Sequence, residues 1–398
     1  MKQFTKFMAL ALVAVLALMA FTACDNGTSA LPDPTPDADG NITLLIGGIG
    51  PLSGDYANYG LSVKYGCEIA VEEINAAGGV NGMKLALDYQ DSQGDPDAAK
   101  SAYGNLIDKG MDISLGGVLS GETATIVAEA KNDGILVLTP SGSAKDAIAG
   151  NDNAFRVCFN DPQQGTVSAD FIADNSLATK VAVFYQSDID YSNGLYETFK
   201  TQAAARNLQI VTEQTFTDST KTDFSTQINA IKSSGADLVF IPIYAAEAAN
   251  FLTQAKAAGL TDVTFFGCDG IDGILTKGIT AEDVEGLMML TPFAADSTET
   301  DVQKFVASYK AKHNDSAPDQ FAADGYDAIY AIKAAIEKAN LTKDDVTNFH
   351  SRLVAAMTKI TVDGVTGTMT WTADGETQKA ANALVYREGV AVEYTVSG

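Results

Sequence analysis

Histidine is nearly absent from this chain of 398 residues: there are two, His313 and His350. A poly-histidine metal site is excluded, and a histidine-dependent catalytic triad has few candidates. Positive charge is scarce as well. Lys plus Arg total 26 against 51 Asp plus Glu, a net charge of −25. Nucleic acid is excluded as a partner, because phosphate binding needs a Lys/Arg surface, and so is a polybasic membrane patch. The four cysteines, Cys24, Cys67, Cys158 and Cys268, form no Cys-x-x-Cys, which excludes zinc ribbons and thioredoxin-type motifs. Charged residues are only 19% and hydrophobic residues 46%, so wholesale disorder is excluded too.

Enzyme signatures are also missing. Gly48-Ile49-Gly50 runs into Pro51 and a loop, so the dinucleotide fingerprint fails. There is no Gly-Lys-Ser/Thr phosphate loop and no Gly-x-Ser-x-Gly elbow. Lys145 does not stand at Ser-x-x-Lys spacing from Ser143, and acids such as Asp188 and Asp190 read as solvated loop charges. A hydrolase using Ser120 or Ser143 would lack a base, since neither histidine lies in a strand-end loop. No catalytic residue, metal or cofactor is expected.

What is present begins with an address. Lys2 and Lys6 precede an apolar run over residues 7–23 that ends Phe21-Thr22-Ala23-Cys24. The run is short for a membrane span of about 20 residues and fits an export signal. Its end resembles the lipobox of bacterial lipoproteins, in which the chain is cut before the cysteine and a diacylglycerol is attached to the sulfur. Residues 1–24 are then a lipoprotein signal peptide; an ordinary signal with an incidental Cys24 is the alternative. Residues 25–41 hold three prolines and almost no large apolar side chain, and read as a disordered tether. The three remaining cysteines, odd in number, read as buried thiols.

Beyond the tether, apolar strand-type runs fall at 42–49, 85–89, 113–118, 135–138, 181–185, 237–243, 263–267 and 286–290. Helical spacing lies between most of them, clearest at Val63, Cys67, Ala70, Val71 and Ile74 before Gly78-Gly79. Further helices are expected at 97–109, 122–133, 193–207, 223–234, 245–258 and 323–340. Runs apolar throughout mean strands buried on both faces, so the fold class is α/β with parallel-rich sheets flanked by helices. The units exceed one compact sheet, which predicts two lobes. A TIM barrel is the rival, but residues 362–396 are rich in Thr, Gly and β-branched side chains and read as hairpins.

Ligands of open parallel sheets bind beyond the carboxyl ends of the strands. The first-half loops there offer Tyr59, Ser120 with Thr123 at a helix start, and Ser141-Gly142-Ser143. Hydroxyls and free helix amides suit a carboxylate. The second-half loops offer Tyr191, Tyr244 and Asp269, which suit a cation. None of the four arginines, Arg156, Arg206, Arg352 and Arg387, lies in these loops, so a carboxylate here must be held without an Arg fork. A zwitterion fits between the two sets. Each residue also has a plainer reading as a helix cap, a turn residue or a rim aromatic.

The chain resembles the leucine/isoleucine/valine-type amino-acid-binding proteins of ABC importers. The matching segments are Gly50-Pro51-Leu52-Ser53-Gly54 with Tyr59-Gly60, residues 71–79 (VEEINAAGG), Val80-Asn81-Gly82, 134–140 (GILVLTP), Asp223-Phe224-Ser225, 254–260 (QAKAAGL) and 364–375 (GVTGTMTWTADG). The resemblance implies the type I periplasmic binding protein fold, with lobes at 42–160 plus 292–365 and at 161–291 plus 366–398, joined by three crossing segments. It implies that Ser120, Ser141 and Ser143 hold the ligand carboxylate, that Tyr59, Tyr191 and Tyr244 line the site, that Asp269 takes the ammonium, and that Phe321 lines the side-chain pocket. It further implies a monomer outside the cytoplasm, lipid-anchored through Cys24, that hands its ligand to ABC permease subunits. A sensor role for the same lobe pair is the alternative. Two departures stand out: the family usually has Glu where Asp269 stands, and its first-lobe disulfide loop has no counterpart. With Leu119 in the side-chain wall, these leave the identity of the amino acid open.

Overall fold

The computed structural model describes residues 31–395. The signal peptide, the lipobox and Cys24 lie outside the described residues. The first sheet is built from β1 (Thr43–Gly50), β2 (Lys84–Asp91), β3 (Ile113–Ser114), β4 (Val137–Thr139) and β5 (Ala154–Arg156), in the order β2-β1-β3-β4-β5, all parallel. Helices α1 (Ala57–Ala76), α2 (Pro96–Asp108) and α3 (Ser120–Ala130) connect them. The strand expected over 113–118 stops at Ser114 because Gly116 turns left-handed (φ +63°) and its N–H bonds to Ser114 Oγ, which leads the chain out of the sheet.

The chain then passes to a second sheet. In chain order come α4 (Asp161–Asp174), β6 (Lys180–Gln186), α5 (Asp190–Ala205), β7 (Gln209–Phe216), α6 (Ser225–Ser234), β8 (Leu238–Ile241), α7 (Ala245–Ala257), β9 (Thr264–Gly267) and β10 (Met288–Thr291). Next, α8 (Thr300–Lys312), α9 (Gln320–Lys338), α10 (Phe349–Met357) and the hairpin of β11 (Thr361–Gly364) and β12 (Gly367–Thr370) return to the side of the first sheet. A last crossing brings β13 (Asn382–Arg387) and β14 (Val390–Glu393) to the edge of the second sheet, whose order is β14-β13-β10-β9-β8-β6-β7. β13 and β14 pair antiparallel, so the hairpin reading of the tail holds. Two open sheets exclude the barrel. Strands such as β8 are buried at every residue, which is why their sequences do not alternate.

Close packing of α1 on α9 requires two glycines. A Cβ on Gly66 would lie 1.8 Å from the Ala322 carbonyl oxygen, and one on Gly325 would lie 2.4 Å from that of Val63. The third crossing is pinned by a buried ion pair, Lys379 Nζ to Asp324 Oδ1 at 2.9 Å. Before it, Asp327 of α9 accepts from Val365 N and Thr366 N at 2.9 Å each, which ties the β11–β12 turn to α9. The expected division between 365 and 366 therefore falls inside a hairpin that packs as one unit. Residues 31–41 also depart from the expected free tether. Leu31 packs against the core beside α2, and Asp33 accepts from Asn348 N at 3.0 Å and Phe349 N at 2.7 Å, capping α10. Cys67, Cys158 and Cys268 are free and buried. Among the described residues no helix is long and apolar enough to cross a membrane.

Candidate functional site

The residues singled out in the sequence converge. Tyr59, Ser120, Ser141, Ser143, Tyr191, Tyr244, Asp269 and Phe321 line one small cavity with Val118, Leu119 and Gly270. They come from the carboxyl ends of strands in both sheets. Ser120 opens α3 after β3, Ser141 and Ser143 follow β4, Tyr191 lies in the first turn of α5 after β6, Tyr244 precedes α7 after β8, and Asp269 follows β9. Tyr59 stands on α1 and Phe321 on α9.

On the first-sheet side the cavity is lined by Ser120, Ser141 and Ser143 together with Val118 and Leu119. Glu122 fixes the loop that carries Ser120. Its Oε1 accepts from Val118 N at 2.8 Å and Leu119 N at 2.9 Å, and its Oε2 from Ser92 Oγ at 2.5 Å. Burial lifts the Glu122 carboxyl to about 7. Ser120 Oγ accepts from Ala144 N at 3.0 Å, and Ser141 Oγ donates to Val118 O at 2.7 Å, so the two loops lock together. The first amides of α3 have no intrahelical acceptor and carry the positive end of the helix dipole. Arg156 lies beneath this wall, fully buried, and donates to the carbonyls of Gly142 at 2.8 Å, Ala144 at 3.0 Å and Lys145 at 3.2 Å. It shapes the Ser141–Ser143 loop from behind without lining the cavity.

On the second-sheet side the wall is aromatic and acidic. Tyr191 and Tyr244 stack with ring centroids 4.6 Å apart and planes 3° from parallel. Tyr59 meets Tyr244 at 5.6 Å and Phe321 at 4.8 Å. Asp269 is 3% exposed; its Oδ1 accepts from Tyr191 Oη at 2.7 Å, and its backbone N–H donates to Gln164 Oε1 at 3.1 Å. Burial pushes its carboxyl up to about 6, partly offset by the hydrogen bond from Tyr191. Burial likewise raises the phenols of Tyr59, Tyr191 and Tyr244, which stay neutral. Tyr59 links the two sides: its hydroxyl donates to Gly270 O at 2.5 Å and accepts from Ala245 N at 2.8 Å.

Several residues at the site were not singled out in the sequence. Gln164 positions the Asp269 turn. Asp161, fully buried, stands against Ser143, with burial and the nearby Asp269 charge raising its carboxyl well above the usual range. Both lie on α4, which hydropathy periodicity does not reveal; the usable signal is Asn160-Asp161-Pro162, a cap followed by an early helix proline. Gln320 opens α9 after its cap, Asp319. Among the described residues no group of three or more His, Cys, Asp or Glu could hold a metal ion.

Known proteins are similar over most of the chain. The family model described as periplasmic binding protein matches residues 43–389. A Leu/Ile/Val-binding protein homologue of Brucella melitensis is 32% identical over 342 residues, which cover 84% of this chain and 88% of the relative. The crystal structure of a branched-chain amino acid transporter substrate-binding protein from Streptococcus pneumoniae, in complex with isoleucine, superposes with a TM-score of 0.80 at 27% identity and covers 88% of this chain and 99% of that one. A solute-binding protein from R. palustris in complex with benzoate has a TM-score of 0.79 at 23% identity, covers 88% of this chain and 95% of that one, and shares the fold.

Proposed function

The chain belongs to the periplasmic binding protein family, and from that premise we propose that it captures an amino acid of branched-chain type between two lobes and delivers it to an ABC importer. The observation that carries this reading is the polarity of the cavity. Serines at the start of α3 and after β4 line it from one sheet, and a buried carboxylate among tyrosines lines it from the other. A carboxylate and an ammonium on one carbon match those two ends, and the apolar wall of Val118, Leu119 and Phe321 takes the side chain. Ser120, Ser141 and Ser143 hold the carboxylate, Asp269 holds the ammonium, and Tyr59, Tyr191, Tyr244 and Phe321 enclose the ligand.

The lobes comprise 42–160 with 292–370, and 161–291 with 371–395, and they close by a hinge at the three crossings. The protein is a monomer with no catalytic activity of its own. It works outside the cytoplasmic membrane, held by a lipid on Cys24, with the permease as its partner. The experiment is a thermal-unfolding screen over the twenty L-amino acids. A ligand at about 100 times its Kd adds about 2.7 kcal/mol of stability, so leucine, isoleucine or valine should raise Tm visibly. A screen in which no amino acid moves Tm contradicts the reading.

A further inference from the structure

Two of the crossings between the lobes are bonded to each other. Residues 157–160 lead from β5 to α4, and residues 371–381 lead from β12 to β13. At the β5 end, Arg156 N donates to Gly375 O at 3.0 Å and Trp371 Nε1 donates to Arg156 O at 2.8 Å. A Cβ on Gly375 would lie 2.0 Å from the Ala154 carbonyl oxygen, so this approach leaves no room for a side chain.

Glu376, on the later crossing, spans the earlier one. Its Oε1 lies 3.2 Å from Nη2 of Arg156, the last residue of β5, and is in the one ion pair of that fully buried guanidinium among the described residues. Its Oε2 accepts at 2.8 Å from Nδ2 of Asn160, the cap of α4. Each partner leads to one wall of the cavity. Arg156 donates to the Gly142 and Ala144 carbonyls on either side of Ser143. Asn160 Oδ1 accepts from Gln163 N at 2.9 Å and fixes the first turn of α4, where Gln164 accepts from Asp269 N at 3.1 Å. Two short paths therefore run from one carboxylate to the serine loop of the first lobe and to the Asp269 turn of the second.

A rotation of one lobe against the other turns Asn160 relative to Arg156, because residues 157–160 are what lies between them. A carboxylate is rigid and hydrogen bonds weaken steeply with distance and angle, so both contacts persist over a narrow range of hinge angle. We propose that Glu376 is a positioning residue for ligand capture: by holding Arg156 and Asn160 with its two oxygens, it sets the angle between the lobes at which the serines and Asp269 face one ligand. The proposal rests on the amino-acid reading of the cavity.

The test uses the full mature chain and exchanges the two ends of the Asn160–Glu376 bond. Asn160→Asp keeps an oxygen to cap α4 but sets two carboxylates against each other. Glu376→Gln keeps an acceptor for Arg156 but sets one amide donor against another. Each change alone should weaken L-leucine binding, titrated by calorimetry, by about fivefold or more. Together they restore an amide-to-carboxylate bond of reversed direction, and affinity should return to within about twofold of wild type. The binding stoichiometry separates a lower affinity from a smaller folded fraction. Trp371, the only tryptophan, should keep its ligand-free emission in every variant, since its bond to Arg156 O is untouched. A shifted emission in the single variants would mean a broken crossing and overturn the positioning role. Single variants that bind like wild type, or a double variant that loses the product of the single losses, overturn it as well and leave the amino-acid reading standing. A wild-type protein that binds no L-leucine overturns that reading and this inference together.

Discussion

Tyr59 and Gly270 sit on opposite sides of the cleft and share a hydrogen bond of 2.5 Å, from the phenol of α1 to the carbonyl in the turn after β9. The same phenol accepts from Ala245 N, so one buried oxygen joins the first sheet to two loops of the second. This link can exist only with the lobes together.

Tyr59→Phe removes both bonds and leaves the Gly270 carbonyl and the Ala245 N–H buried without partners, a penalty of about 1–3 kcal/mol for each group. Opening the cleft relieves it, so the variant should favour the open form. Ligand affinity should fall by about tenfold or more. Small-angle scattering should show wild type contracting at saturating ligand, with the variant needing more ligand for the same contraction. An unchanged affinity would mean that Tyr59 is not part of the closed grip.

Binding should depend on pH through Asp269. Burial raises its carboxyl to about 6, and only the ionised form offers a counter-charge to an ammonium. Affinity should hold steady from pH 7 to 8 and decline below 6, with about a tenfold loss for each further pH unit. Titration of one amino acid across pH 5 to 8 checks this; a flat profile would contradict the assignment.

Stability should run the other way. Burial lifts Glu122 to about 7, against roughly 4 for such a group in an unfolded chain. The folded state then holds this proton more tightly than the unfolded one. Its stabilising contribution is fully present below pH 4 and is lost as pH rises through 7. Tm of the ligand-free protein should therefore rise as pH drops from 8 to 5.5, and Glu122→Gln should flatten part of that slope. A Tm that falls over this interval would contradict the burial argument.

Cys24→Ser should move the protein from the membrane to the soluble fraction or leave the precursor uncut, since two acyl chains on one sulfur anchor stably and none remain in the variant. Fractionation with an antibody to the mature domain reads this. A mature variant still on the membrane would contradict the lipid anchor.

The parts of the site legible in the sequence are those that follow strands with strong apolar signals. Asp269 is visible because β9 ends at Gly267 and an acid stands two residues beyond it; Ser120 is visible because a helix starts there. The interior strands β6, β8 and β9 were readable because burial on both faces makes their sequences uniformly apolar. β5, only three residues long, carries Arg156, and an arginine reads as exposed until the carbonyls around it are known. β7 alternates weakly at the sheet edge, where half its surface is wet. The docking of Asp33 on α10 joins positions more than 300 residues apart, and no local pattern encodes it. Gln320 is hidden for the same reason: what buries it is the turn of the other lobe.

The most direct measurement is calorimetric titration of wild type and Asp269→Asn with leucine, isoleucine and valine. The variant keeps the volume of the side chain and the fold but removes the counter-charge to the ammonium. At least one of the three should bind wild type, and the variant should bind it about 10- to 150-fold more weakly, with unfolding behaviour intact. Equal affinity in the two proteins would contradict the account and point to a ligand without an amino group.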